Sequence, residues 1–169
     1  MAEITIQKNN FNDALGFSLR EYLRVELNDP ESGNREQGDK FVWFSSPEAV
    51  LDKKNHKLPF ISLKLEDGSG EDMGHDNPGG FRRANLIMRV VCDGPSNKEL
   101  LDQAMNLVLG ISEEEGAGSD TGSGPDYDYD LTDLYDTSHT TGPRDRDEFS
   151  DHPHDERTAE VEVKAILMG

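Results

Sequence analysis

The sequence predicts an α+β fold: a small, mainly antiparallel sheet with two helices packed on it, plus a long acidic loop insertion. Three observations lead to this prediction. Two segments have apolar residues at helical spacing, four have the composition or alternation of strands, and an acidic stretch separates the second helix from the last strand. At 169 residues we expect one domain spanning 1–169, because two cores in so short a chain would each be marginal.

The first helix is predicted from apolar residues three and four positions apart between Phe11 and Leu27. Asn28, Asp29 and Pro30 follow as a stop signal, since proline cannot continue a helix. This spacing places the apolar side chains on one face, so we expect an amphipathic helix.

Three strands are predicted in the middle of the chain. Residues 41–44 are aromatic or β-branched, which is typical of a buried strand, and Pro47–Leu51 forms at most a helical turn. Residues 58–65 alternate as a half-buried strand does. Residues 66–80 contain five glycines and a proline, which indicates a long hairpin connection to the strand Phe81–Cys92. We therefore expect the last two strands to be antiparallel neighbours.

The second half of the chain contains one helix and one strand in this interpretation. Ser96 and Glu99 have capping-box spacing, so the second helix begins there, and its apolar stripe over 100–111 should pack on the sheet. Residues 112–157 are rich in acids, glycine and serine and are interpreted as a loop insertion. Alternating apolar residues in 158–168 predict a final strand that closes the sheet.

The net charge of −18 arises from 35 acidic and 17 basic residues, which argues against phosphate-driven binding of nucleic acid. Hydrophobic residues make up only 33% of the chain, so we expect a small core. The acidity has two interpretations. One is an acidic interaction or disordered segment, and the favoured one is adaptation to molar salt, where a Debye length of about 3 Å screens the repulsion between surface carboxylates.

Cys92 is the one cysteine and lies in an apolar run, so we expect a buried side chain and no intrachain disulfide. The N-terminal residues lack the basic start and apolar region of a signal peptide, and no stretch has the apolar length of a membrane span. We therefore expect a soluble protein that is not exported by a signal peptide and does not bind membranes.

Candidate metal ligands occur only in the acidic segment. Asp126, Asp128 and Asp130 match the first three ligands of a calcium loop, but Leu131 and Thr137 stand where glycine and a bidentate acid are required. A looser site for a hard cation and a solvated acidic loop remain as alternatives, and the solvated loop is favoured. His139, His152 and His154, near Asp151 and Asp155, match no ligand spacing, so we expect solvated histidines and no metal or other cofactor.

No catalytic motif is recognised. None of the serines stands in a nucleophile elbow, Cys92 has no visible base, and the glycine-rich stretches contain neither a P-loop nor a dinucleotide fingerprint. We therefore predict that the protein is not an enzyme, with no catalytic residues.

Two basic clusters differ from the acidic background, and basic patches on acidic proteins often contact acidic partners. The alternative is charge balancing within the sheet and its loops. The clusters consist of Lys53, Lys54 and Lys57, and of Arg82, Arg83 and Arg89. The candidate assembly contacts are Lys53, Lys54, Lys57, Arg82 and Arg83.

The order helix, strand, long hairpin, helix, strand resembles that of tail terminator proteins of long-tailed viruses and of related neck and tail-completion proteins. The pattern includes Leu58, Pro59, Phe60 and Ile61 before one strand, and Arg82 to Val91 before a capped helix. It covers about residues 10–111 and 158–168 and leaves 112–157 unmatched. It is a pattern of elements and provides no signature motif from which a functional residue can be transferred.

The resemblance implies a virion protein of the neck or tail end, assembled in the host cytoplasm. A homo-oligomer, as a hexameric ring, would lie on the tail tube and contact the tail tube protein and the head-tail connector proteins. DNA would pass through the ring without sequence recognition. With the salt-adapted composition, the implied source is a virus of a halophilic archaeon. The alternative is a cellular acidic adaptor or cation-binding domain of a halophile.

Overall fold

The computed structural model describes residues 11–36, 38–52, 56–67, 81–92, 99–113, 134–145 and 155–166. Within these residues the fold is α+β, as predicted, and contains three helices and five strands. In chain order the elements are α1 (Phe11–Glu26), β1 (Val42–Trp43), α2 (Pro47–Leu51), β2 (Phe60–Asp67), β3 (Phe81–Cys92), α3 (Leu100–Glu113), β4 (Leu134–Asp145) and β5 (Asp155–Ile166).

Helix α1 is amphipathic, which confirms the prediction from its apolar spacing. Leu15, Leu19 and Leu23 recur every four residues and are fully buried on the face that meets the sheet. Burial of each leucine contributes about 1.5–3 kcal/mol relative to exposure. The helix ends before Leu27, whose N–H still donates to the carbonyl of Leu23.

The five strands form one mixed sheet in the order β1-β2-β3-β5-β4. Strand β2 pairs antiparallel with β3, β3 with β5, and β5 with β4, while β1 joins β2 in parallel. Leu63 lies opposite Met88, and Met88 lies opposite Ala159. All three side chains are buried, so the register lines up one apolar row across the three central strands.

Helices α1 and α3 cover the same face of the sheet and enclose the main core. The apolar stripe of α3 is buried, as predicted, at Leu101, Ala104, Val108 and Ile111. Cys92 is also buried, and as the one cysteine of the sequence it forms no intrachain disulfide. Ser96, the predicted cap of this helix, lies outside the described residues.

The opposite face of the sheet carries a smaller apolar cluster beneath α2. This cluster consists of Val50, Phe60 and Val91, with Trp43, Leu51 and Leu58 packed around it. Helix α2 begins with Ser46 as its cap, whose hydroxyl accepts a hydrogen bond from the N–H of Ala49. The short helix thus covers one end of this face.

The acidic segment contains the main departure from the predicted fold. Residues 112–157 were predicted to be a loop, but Leu134–Asp145 form β4, and β5 begins at Asp155 rather than at residue 158. Pairing with β5 provides hydrogen-bond partners for the β4 backbone. Gly142 and Pro143 lie within a register shift, and an edge strand tolerates proline at such a site.

Candidate assembly surface

The structure describes only part of the predicted assembly contacts. Lys53 and Lys54 lie outside the described residues. Arg82 and Arg83 lie in β3, where their backbone pairs with β5. The structure does not describe their side chains. Lys57 precedes β2, and its side chain is 46% exposed. Because only one of the five side chains is described, their grouping into one patch stays a prediction.

Two described members of the basic clusters lie beside acids. The Nζ atom of Lys57 is 3.5 Å from Oε2 of Glu31. The Nε atom of Arg89 is 3.7 Å from Oε1 of Glu156, which is buried. For Lys57 and Arg89, these contacts fit the charge-balancing alternative raised by the sequence.

A groove of about 510 Å³ runs beside β2, where the short strand β1 ends. It is lined by Phe44 after β1, Pro47 and Glu48 of α2, Lys64 and Leu65 of β2, and Arg89 of β3, among others. The lining combines apolar side chains with charges of both signs. Such a groove next to a strand edge has the size and chemistry to receive an extended segment of chain.

Arg35 organises the long turn between α1 and β1. Its guanidinium donates two hydrogen bonds to Asp29, at 2.7 and 3.0 Å, and a third to Asp39 at 3.2 Å. It also donates to the carbonyls of Lys57 and Pro59, at the entrance to β2. Arg35 therefore joins the turn to the strand that borders the groove.

The electrostatics of this arrangement favour a permanently charged Arg35. Burial lowers the pKa of Arg35, but hydrogen bonds and charge attraction from Asp29, and then from Asp39, outweigh it and raise the pKa. Sequence reasoning missed this group. A lone arginine between Asp29 and Asp39 in a polar turn was the available signal.

A second charged group connects α1 with β1. Glu21 is fully buried, and its carboxylate lies 3.5 Å from a guanidinium nitrogen of each of Arg20 and Arg24. Arg24 also donates to the carbonyl of Val42 at 2.8 Å and lies over the ring of Trp43. These contacts hold β1 against the helix.

Most of the candidate metal ligands lie outside the described residues, including Asp126, Asp128 and Asp130 and the histidines at 152 and 154. His139 lies on β4, with its backbone opposite Val161. Within the described residues, no three His, Cys, Asp or Glu side chains are close enough to hold a metal ion. In that part of the chain, no helix is long and apolar enough to span a membrane.

No protein-family model matches this chain, and no curated protein matches it.

The sheet has two edge regions in the described part of the chain. Strand β1 covers only Ile61 and Ser62 of β2, and the rest of β2 up to Asp67 has no strand beside it on that edge among the described residues. Strand β4 forms the other end of the sheet. Edge donors and acceptors of this kind bind another strand readily.

Proposed function

We propose that this chain is a structural virion protein of the neck or tail end of a tailed virus of a halophilic archaeon. Copies of the chain would form a ring that terminates the tail tube and joins tail to head around the DNA channel. The proposal combines the resemblance in the order of elements with a sheet whose two ends have no further strand beside them among the described residues.

The observation that carries the proposal is the pair of sheet ends. Unpaired edges must be covered, charged or paired with a neighbour in a stable protein. Identical copies arranged about an axis cover one another's edges, and the assembly is a closed ring when the rotation closes. With this sheet, assembly would use the folded scaffold itself and would require no bond-making chemistry.

The charge is compatible with a channel that conducts DNA. A protein with a net charge of −18 repels the phosphate backbone, so a duplex would pass without adhering to the wall. Proteins that hold DNA instead neutralise phosphates with lysine and arginine. The acidity that argues against a DNA-binding protein is therefore compatible with a channel through which DNA passes.

Negative-stain imaging and sedimentation of the purified chain in molar KCl test the proposal. We expect rings of uniform diameter and a mass that is an integer multiple of the 18.8 kDa chain. A monomer at every salt concentration, together with a gene outside any cluster of viral head and tail genes, would instead favour the cellular adaptor.

A further inference from the structure

The start of α1 and the open part of β2 lie at the same end of the sheet. Near its C-terminal end α1 meets β1, where Nε of Arg24 donates to the carbonyl of Val42. Toward its N-terminal end, Gly16 and Phe17 lie against the ring of Phe44, which follows β1. Helix α1 therefore runs antiparallel to β1 and, because β1 and β2 are parallel, to β2 as well.

The spacing along both elements places the first residue of α1 beside the open edge. Phe11 begins the helix and lies about 7.5 Å from Gly16 along its axis. The pairing of β1 with β2 puts Phe44 level with Leu63, and Leu65 is about 7 Å further along β2 in the same direction. The helix thus begins at about the height of Leu65.

The open edge sets a pattern that an added strand must match. The N–H of Ile61 donates to the carbonyl of Phe41 at 2.8 Å, so odd-numbered residues of β2 direct their backbone groups toward β1. Past the end of β1, the same alternation places the N–H and carbonyl of Leu65 on this edge, with no strand beside them among the described residues. The side chain of Leu65 lies on the helix side of the sheet and is only partly buried, whereas Lys64 and Glu66 on the other side are exposed. A strand that fits here has apolar residues on the helix side and polar residues on the other.

The sequence just before α1 has this pattern. Residues 1–10 lie outside the described residues. Within them Ile4 and Ile6 alternate with polar residues, one of which is the β-branched Thr5. Alternation of this kind, together with β-branched side chains, favours a half-buried strand.

The residues between this pattern and α1 favour a turn. Lys8, Asn9 and Asn10 separate the two isoleucines and Gln7 from the helix. Asparagine is common in turns and at the N-cap position of helices. Three residues are also within the usual length of a connection between a strand and a helix.

We propose that residues 3–7 of the same chain bind the open edge of β2 as an added strand, parallel to β2, with Ile6 beside Leu65. In this register the N–H of Leu65 donates to the carbonyl of Thr5, and its carbonyl accepts from the N–H of Gln7. The isoleucines then extend the apolar row on the helix side of the sheet. The polar residues lie on the exposed side.

The covalent connection to α1 selects this segment over a strand from another copy. Because α1 begins beside the edge, the segment is held within a few residues of Leu65, at an effective concentration that a separate molecule would have to match. The added strand has an outer edge of its own, so the sheet keeps two ends for contacts between copies. The inference therefore goes beyond the proposed ring and does not depend on it.

Amide hydrogen exchange of the full chain in molar KCl, resolved by residue with NMR, tests the pairing. We expect the N–H of Leu65 to be protected in the wild type. Replacing both isoleucines with asparagine, Ile4→Asn with Ile6→Asn, should speed its exchange by about 10-fold or more. The N–H groups of Lys64 and Glu66 point toward β3 and should keep their rates. The matched control, Ile4→Val with Ile6→Val, keeps the apolar alternation and should keep Leu65 protected.

A cross-linking experiment provides a second measurement and decides the question if the asparagine variant does not fold. In a Cys92→Ala background, Ile6→Cys is combined with Leu65→Cys and treated with a short bifunctional thiol reagent. We expect the reagent to join the two cysteines within one chain, seen as a single added linker at the mass of the monomer. A matched control combines Ile6→Cys with Gln103→Cys, on the exposed side of α3, and should not be joined.

The outcomes separate this contact from the proposed function. Fast exchange of the Leu65 N–H in the wild type overturns the contact, and so does protection that survives the asparagine replacements. Links between chains, rather than within one chain, overturn it in favour of a second copy at this edge. Protection that is lost with the asparagines, or a link within one chain, supports the contact. A monomer in sedimentation overturns the ring alone, because the added strand belongs to a single chain.

Discussion

At the residue scale, Arg35 is the side chain on which the turn before β1 depends. Asp39 is only 7% exposed, and Arg35 is the cation that compensates its charge. The raised pKa of Arg35 means that this stabilisation is fully present below the ordinary arginine pKa and is lost only as the pH rises through the still higher folded value. Deprotonation of Arg35 should therefore not change stability anywhere in the neutral pH range.

Replacing Arg35 with alanine should destabilise the fold by about 3 kcal/mol, because it leaves a buried carboxylate without its partner. Arg35→Lys should be intermediate, since an ammonium cannot make the two-pronged contact with Asp29. Urea denaturation at constant molar KCl measures both. Lys64→Ala, at a largely exposed ion pair, is the control and should change stability by less than about 1 kcal/mol. Equal effects at the two sites would contradict the role of Arg35.

Gly16 marks a close approach between α1 and the segment after β1. A Cβ atom at this position would overlap the ring of Phe44, which also packs edge-on against Phe17. Gly16→Ala should therefore destabilise the protein by about 1–3 kcal/mol, although alanine is the better helix former.

A matched control for Gly16 lies in α3. Within the part of the chain that the structure describes, nothing beyond the helix itself lies within 4 Å of a Cβ added at Gly110, so Gly110→Ala should stabilise the protein by up to about 1 kcal/mol. Thermal melts compare the two variants. A stabilising Gly16→Ala would contradict the packing of Phe44 against α1. If Gly16→Ala is destabilising as expected, adding Phe44→Ala should relieve the overlap and recover part of the lost stability.

At the element scale, α3 depends on a fully buried stripe. Leu101→Asp should abolish folding, because it places an unpaired carboxylate between the helix and the sheet. Circular dichroism and the loss of a cooperative melt measure the effect. Gln103→Asp, two residues along on the exposed side, introduces the same group near the helix N-terminus and should leave the melt almost unchanged. A native-like spectrum for Leu101→Asp would mean that α3 presents another face to the sheet.

The elements that the sequence predicts are those with their own periodicity. Helices α1 and α3 and the strands β2 and β3 each carry an apolar pattern that local spacing reveals. Strand β4 has β-forming residues such as Tyr135 and Thr137, but acids, glycine and proline interrupt its alternation. Its strand structure comes from pairing with β5, which is a tertiary effect that local pattern does not contain.

The candidate surface was less predictable than the fold for a related reason. Sequence reasoning selected basic side chains, whereas the features that the structure describes are a groove and the backbone of a sheet edge. The edge arises because β1 contains only two residues beside a β2 of eight residues. This edge depends on the lengths of two strands that are neighbours in space but separated in sequence. No local motif therefore predicts the edge.

At the scale of the whole molecule, a small core and a high net charge both limit stability. A lean core provides limited apolar burial, while a net charge of −18 destabilises the compact state through self-repulsion. The acids are concentrated, since residues 113–160 hold 16 of them against three arginines. Strand β4 and the first half of β5 lie in this segment, so repulsion within it acts on part of the sheet.

Stability should therefore rise with salt. Between low salt and about 1 M KCl the Debye length falls to roughly 3 Å, which screens repulsion among the exposed acids. Each kcal/mol gained should raise the melting temperature by about 2–4 °C in a chain of this size. Thermal melts of the chain across the KCl series measure the effect. A melting temperature that falls or stays level as KCl rises would contradict salt adaptation.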